Sequence, residues 1–213
     1  MEASTSFSLL ELFKLGGITM WPLLVFSITT TAIILDRVFY LSRHKLKIDQ
    51  LTPKVMECLT NGNIKTAANF LEPLTSKNMA ARVLLALVNH ADLNEHRLEK
   101  AVETKIMGCI NSLESGLNFL TAIGSLAPLT GFLGTVTGMI TAFRSIAEAT
   151  EVNAQIVANG IYEALITTVF GLIIAIIAMS AYHLLTSLVD RFALNAEQAC
   201  SELITALAKS NAH

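Results

Sequence analysis

Glu163 abuts the charge-free run Ala164 to Val189, and the hydroxyls of Thr167 and Thr168 follow it within five residues. A carboxylate and hydroxyls at the end of an apolar segment can attract cations or relay protons, and an interfacial glutamate without a transport role fits the same spacing. A third hydroxyl, Thr135, lies in another uncharged stretch, where Thr121, Pro128, Thr135 and Ala142 recur at seven-residue intervals. Thr168, Ala175 and Tyr182 repeat that interval. Beside these stripes stand Gly131, Gly134 and Gly138, with Gly171 in the later run. Small residues at helical spacing let membrane helices approach closely, so the glycines read as helix packing, in the first instance between subunits. Thr135 fits either packing or the lining of a pore. Thr167 and Thr168 fit either a proton path or hydroxyls bonded back to their own helix carbonyls.

The elements that must carry these residues are membrane helices. Ser115 to Phe143 holds 29 residues without Asp, Glu, Lys or Arg, more than the roughly 20 that cross a bilayer core. Leu15 to Leu35 and Ala164 to Val189 are also free of these residues. Hydrophobic residues make up 53% of the chain and charged residues 15%, and the mean hydropathy is +0.55, all biased toward lipid. The first window is preceded by Glu2, Glu11 and Lys14 and lacks a small-residue cleavage site; it is expected to remain as a span. Trp21 would suit the headgroup level of that span. The expected fold is an all-α integral membrane protein, with three transmembrane helices and long helical cytoplasmic extensions. Its expected segments are a periplasmic tail (1–16), a first span (17–41), a helical cytoplasmic region (42–114), a second span (115–143), a periplasmic loop (144–162), a third span (163–189) and a cytoplasmic C-terminal helix (190–213).

Flanking charge sets the expected orientation. Arg37, Arg43, Lys45 and Lys47 follow the first span, whereas Lys14 alone precedes it, which puts the N-terminus outside and the C-terminus in the cytoplasm. Cys58, Cys109 and Cys200 would then lie in the reducing compartment and stay unpaired. In the cytoplasmic region, Thr52-Pro53 reads as an N-cap and first helical position, and Gly62 as a stop. Short helices over Asn63 to Leu71 and Asn78 to Asn89 flank Glu72-Pro73, with Phe70, Leu71, Val83, Leu84 and Leu87 as packing residues. From Leu93 no strong break precedes the second span, so one long helix is expected to enter the bilayer. Glu95, Arg97, Glu99, Lys100, Glu103 and Lys105 form its charged face, with Glu99 and Glu103 near basic neighbours.

Several function classes find no support. His90 and His96 lie six apart on a charged helix, and His44, His183 and His213 are scattered, so neither a catalytic constellation nor a metal site is expected. The glycine-rich stretch has no Lys after its last glycine and sits in an apolar span, which rules out a phosphate loop. A net charge of −2 gives no sign of nucleic-acid binding. The chain is expected to be neither an enzyme nor a cofactor protein.

The sequence resembles the MotA/TolQ/ExbB proton-channel family. The resemblance is carried by Ala127-Pro128 with Gly131-Phe132-Leu133-Gly134-Thr135-Val136-Thr137-Gly138-Met139, and by Gly160-Ile161-Tyr162-Glu163-Ala164-Leu165 followed by Thr168 and Gly171-Leu172. It extends through Ala81-Arg82-Val83-Leu84-Leu85, and the Gly16-Gly17, Trp21-Pro22-Leu23-Leu24 and Asp36-Arg37 positions look most like ExbB. Three spans fit ExbB or TolQ, since MotA proteins have four. Two departures are Ile177, where many relatives carry proline, and Thr137, where a larger apolar residue is common. The resemblance implies a homo-oligomer, a pentamer, around two copies of a single-span ExbD/TolR-like partner, coupled to a TonB/TolA-like transducer. It further implies that Thr135 and Thr168 line the central pore, that Glu163 stands at its outer mouth, and that the key aspartate belongs to the partner. The implied location is the bacterial inner membrane. The implied role is proton-driven energy transduction for outer-membrane nutrient uptake, with a TolQ-like role in envelope integrity or a non-conducting membrane scaffold as the alternatives.

Overall fold

A computed structural model describes residue 13 and residues 16–44, 46–148 and 154–211. The expected N-terminal tail lies almost wholly outside the described residues. Those residues form helices and no strand: α1 (Met20–Arg43), α2 (Thr52–Thr60), α3 (Ile64–Leu71), a 3₁₀ turn (Glu72–Leu74), α4 (Met79–Asn89), α5 (Glu95–Glu114), α6 (Leu117–Glu148) and α7 (Ala154–Asn211). Three of them, α1, α6 and the apolar stretch of α7, are long and apolar enough to cross a membrane. At about 1.5 Å per residue, even α1 reaches about 36 Å, beyond the hydrocarbon core of about 30 Å.

The chain divides into two compact units. One comprises the described parts of Met1–Ile34 with Gly116–His183. Its core is Met20, Leu23, Ile123, Ala127, Ile174, Ala175 and Ala178, with Phe13, Phe26 and Phe170 packed against it. Its outer surface is apolar: Phe132, Ile140, Phe143, Leu165 and Ile176 are all exposed, a surface suited to lipid or to a neighbouring apolar helix. Hydroxyls on that surface bond back to their own helix, as in Thr29 Oγ1 to the Val25 carbonyl (2.8 Å) and Thr130 Oγ1 to the Leu126 carbonyl (2.9 Å). The polarity of these hydroxyls is thereby satisfied without water.

The other unit comprises Leu35–Ser115 with Leu184–His213. Asn78 caps α4, its side-chain oxygen accepting from the Ala80 and Ala81 amides at 3.0 and 3.4 Å. That cap starts a helix whose Met79, Val83, Leu84, Leu87 and Val88 are buried. The expected packing role of Val83, Leu84 and Leu87 is what the structure shows, and Leu71 on α3 is buried too. On α5 the buried stripe is Leu98, Val102, Ile106, Cys109 and Leu113. On the last part of α7, Val189, Phe192, Ala196, Cys200 and Leu203 repeat the pattern, the spacing of one helix face.

Three local expectations change. The helix expected to run unbroken from Leu93 into the membrane is interrupted, because Ser115 turns to φ −50°, ψ 125° and Gly116 to φ +84°. A left-handed residue ends a helix, and glycine adopts it without the Cβ penalty. Thr52 is not the cap of α2: it lies inside the helix, its hydroxyl donating to the Ile48 carbonyl at 3.1 Å, and Leu51 holds the cap position. The charged face expected on α5 is exposed throughout, and among the described residues the ion pairs are Arg37–Asp36 and Arg144–Glu148. Helix also occupies both ends of the segment expected as a loop, since α6 persists to Glu148 and α7 begins at Ala154.

Candidate functional site: the α6–α7 seam

Two helices built from different parts of the chain meet through glycine. A Cβ on Gly131 would lie 2.8 Å from the Thr167 carbonyl oxygen and 3.0 Å from the Thr168 Cα; one on Gly171 would lie 2.6 Å from the Ala127 carbonyl oxygen. These neighbours are backbone and cannot rotate away. At Gly138 the added atom would meet the Ala164 Cβ at 3.1 Å, and at Gly160 the Ala142 Cα at 3.3 Å. As numbers rise along α6 they fall along α7, so the helices run antiparallel. Gly131, Gly134, Gly138 and Gly171 are therefore packing residues within one chain, where spacing alone suggested contacts between subunits.

The same close approach exposes one carbonyl to two threonines. Gly131 O accepts from Thr168 Oγ1 at 3.2 Å and from Thr167 Oγ1 at 3.3 Å, and the Thr167 hydroxyl also reaches the Ala164 carbonyl at 2.8 Å. By helix geometry the Thr135 amide is the regular donor to that oxygen. Thr167 is fully buried and Thr168 half-buried. Both alternatives weighed for Thr167 thus have a counterpart, one bond back to its own helix and one across the seam. Thr135 is half-buried on the flank of α6, with its hydroxyl donating to the Phe132 carbonyl at 2.6 Å. Pro128, about two turns before Thr135, removes the amide that would have bonded the Gly124 carbonyl.

Glu163 and Thr168 do not share a face. Five residues on a helix are about 500°, which leaves them about 140° apart. Thr168 flanks the seam on one side, while the half-buried Glu163 carboxylate packs against Gly17, at the entrance to α1. Gly17 has φ +65°, and any Cβ there would collide with a Glu163 carboxylate oxygen. Thr19 belongs to the same corner: its hydroxyl would be 2.9 Å from a Cβ on Gly134. Gly17 and Thr19 were not legible as site residues, because two residues ahead of Trp21-Pro22 read simply as the start of a span. Thr30 was also missed; it is 2% exposed, and its hydroxyl has no hydrogen-bond partner among the described residues. The four site residues expected from sequence are accordingly divided, Glu163 on the α1 flank, Thr167 within the seam, and Thr168 and Thr135 bordering it.

The described residues contain no group of three His, Cys, Asp or Glu side chains able to hold a metal. What they contain is a helix pair with an apolar outer surface, threaded by hydroxyls and a shared carbonyl, with the Glu163 carboxylate on its α1 flank, in a chain with three helices long and apolar enough to cross a membrane. Comparison with known proteins agrees. Residues 69–198 match the MotA/TolQ/ExbB proton channel family, and the chain belongs to that family. It is 30% identical to the biopolymer transport protein exbB1 of Vibrio cholerae, over 86% of this chain and 82% of that protein. It is 34% identical to the putative biopolymer transport protein ExbB-like 3 of Synechocystis, over 86% of this chain and 88% of that one. A shorter match, 44% identical over 77 residues, links it to the Tol-Pal system protein TolQ of Haemophilus influenzae, covering 36% of this chain and 34% of that protein.

Proposed function

We infer that this chain is the proton-channel subunit of an inner-membrane motor of the ExbB type, coupling proton flow to a TonB-like transducer for outer-membrane nutrient uptake. The observation that carries the inference is the Gly131 carbonyl with the Thr167 and Thr168 hydroxyls converging on it. A scaffold needs the glycines for close approach. It does not need the half-buried hydroxyls of Thr135 and Thr168 bordering the seam.

In this reading the N-terminus is periplasmic and the C-terminus cytoplasmic, following the basic residues after the first span. Five copies surround two single-span partners of the ExbD/TolR type, with Thr135 and Thr168 turned to the interior. The partner's intramembrane aspartate takes a proton from the outer side, which neutralises a charge costly in lipid, and releases it inward. Glu163 places a carboxylate near the outer end of the apolar stretch of α7 on the α1 flank, with Gly17 setting where it rests. Each elementary charge crossing 100 mV supplies about 2.3 kcal/mol, so a few protons move one set of subunits against the other. The TolQ match gives a second reading, in which the same machine serves envelope integrity through a TolA-like transducer.

The test is native mass spectrometry of the protein purified in detergent after co-expression with a candidate single-span partner. Five copies holding two aspartate-bearing partners are expected; an assembly that takes up no such partner would favour a scaffold. Loss of metal-chelate or vitamin uptake on deletion, as against a division-stage envelope defect, separates the ExbB-type role from the TolQ-type role.

A further inference from the structure

Helix α5 has opposite charge on its two flanks; among the described residues neither flank is met by an opposite charge, and Arg82 on the basic side donates to the Thr75 carbonyl at 2.6 Å. On one flank a groove of about 430 Å³ separates α5 from the last part of α7. Val102, Ile106 and Ile204 form its buried floor, and Glu95, Glu99, Glu103 and Glu197 stand on its rim. The three α5 glutamates are stacked one turn apart, an arrangement that destabilises an isolated helix. On the other flank, Arg82 of α4 and Lys105 of α5 line a second groove, of about 610 Å³. Both cations are close enough to Cys109 to act on its thiol. Among the described residues, none of these glutamates, nor Arg82 or Lys105, belongs to an ion pair.

The two flanks match in position as well as in sign. Glu99 and Glu103 lie about 9 and 3 Å before Lys105 along α5, so the acidic rim and the Lys105 side share a level near the middle of the helix. Glu99 and Lys105 point about 120° apart around the helix. A rotation about an axis parallel to α5 preserves height, so it carries the basic flank of one copy to the level of the acidic groove of the next. A contact between two different faces of identical subunits is heterologous and closes into a ring when the rotation does. The charges would then be paired over an apolar floor, where they are screened less than on an open surface.

We propose that the Glu95–Glu99–Glu103 groove of one copy receives the Arg82–Lys105 flank of a second copy, making this charged contact the head-to-tail joint of the oligomer outside the membrane. The proposal rests on the ring assembly proposed above, and the experiment separates the two. Full-length protein, co-expressed with its single-span partner, is compared by native mass spectrometry as wild type, Glu99→Lys/Glu103→Lys, Arg82→Glu/Lys105→Glu, and all four changes together. Each double reversal is expected to release smaller species at a dilution where the wild type stays whole, and the fourfold variant to recover the wild-type mass. A wild type that is itself monomeric overturns the ring. A wild-type ring that both double reversals leave intact, or that the fourfold variant fails to restore, overturns the joint while leaving the ring.

A second readout avoids charge reversal altogether. Differently tagged copies carrying Glu103→Cys or Lys105→Cys are co-expressed and treated with a short bismaleimide. Two-tag dimers above the wild-type background are expected. Dimers from Glu103→Cys alone at equal yield, or no two-tag dimer from an intact ring, contradict the joint.

Discussion

The two units of this protein solve the packing problem in opposite ways. In the unit around α4, large aliphatic side chains do the work: Val83, Leu84 and Leu87 on α4 are fully buried, as is Leu71 on α3. In the unit around α6 and α7, the contact is made by what is missing, with Gly131 and Gly171 bringing backbone against backbone. The difference follows the solvent. Water drives apolar side chains together, so a water-facing bundle gains from each methylene it hides. Lipid gives no such gain, and membrane helices associate through close contact and interhelical hydrogen bonds. The seam therefore leaves its leucines and phenylalanines outside and keeps glycine, alanine and threonine within. That inversion also shapes the seam, since the glycine-lined approach puts the Gly131 carbonyl within reach of Thr167 and Thr168 on the other helix.

Substitutions at matched positions break this comparison in order of size. Gly131→Val is expected to have the largest effect on function, because its Cβ meets backbone at 2.8 and 3.0 Å; overpacking of this kind typically costs about 1–3 kcal/mol, and rigid neighbours put it at or above the top of that range. The helix pair should separate, seen as loss of the folded peak in detergent and loss of coupled uptake. Leu84→Ala, in the other unit, should cost about 2–5 kcal/mol as a cavity mutation, measured by denaturant titration, yet spare coupling wherever the protein remains folded. Recovery of function by Gly131→Val, or a neutral Leu84→Ala, would undo the contrast.

Smaller changes sharpen it. Gly17→Ala places a side chain at φ +65°, worth about 1–2 kcal/mol of strain, and drives the Glu163 carboxylate from its resting place. Reduced coupling with normal assembly on a native gel is expected, with Glu163→Gln reproducing it. Thr167→Val removes a buried hydroxyl that bonds across the seam at 3.3 Å; membrane hydrogen bonds average about 0.6 kcal/mol, so the thermal midpoint should fall only slightly. Cys109 gives the smallest effect. Burial raises its thiol above the ordinary value against the opposing pull of Lys105 and Arg82. A raised folded value means that its stabilising contribution is complete below the unfolded thiol's range and is lost as pH climbs through the folded one. Maleimide should therefore label Cys109 more slowly than the half-buried Cys58 at neutral pH.

The sequence was most legible where one physical variable decides the outcome. Missing charge located three apolar spans, and Asn78 followed by apolar residues at helical spacing located α4. Gly116 was hidden because an uncharged Ser-Gly pair reads as part of a span, and only its backbone angle reveals a break. Asp190 and Arg191 mark a change of surroundings without ending α7, because charge says where lipid stops and not where a helix stops. The glycine spacing announced close approach but could not name the partner helix, which proved to lie in the same chain. Glu163 and Thr168 are neighbours in sequence, yet about 140° of helix turn separates them. Gly17 became visible only when folding brought it from the first span to Glu163.

The central claim, that the hydroxyl-lined flank of this seam carries proton coupling and is not mere packing, is tested most directly at Thr168. Proton-driven uptake should be measured for Thr168→Val and Thr168→Ser in complexes shown by native mass spectrometry to be fully assembled. The valine variant, which keeps the shape and loses the hydroxyl, is predicted to lose at least about tenfold in coupled activity, equivalent to about 1.4 kcal/mol, while serine retains most of it. Undiminished proton-driven uptake by an assembled Thr168→Val complex would show that the residue only packs.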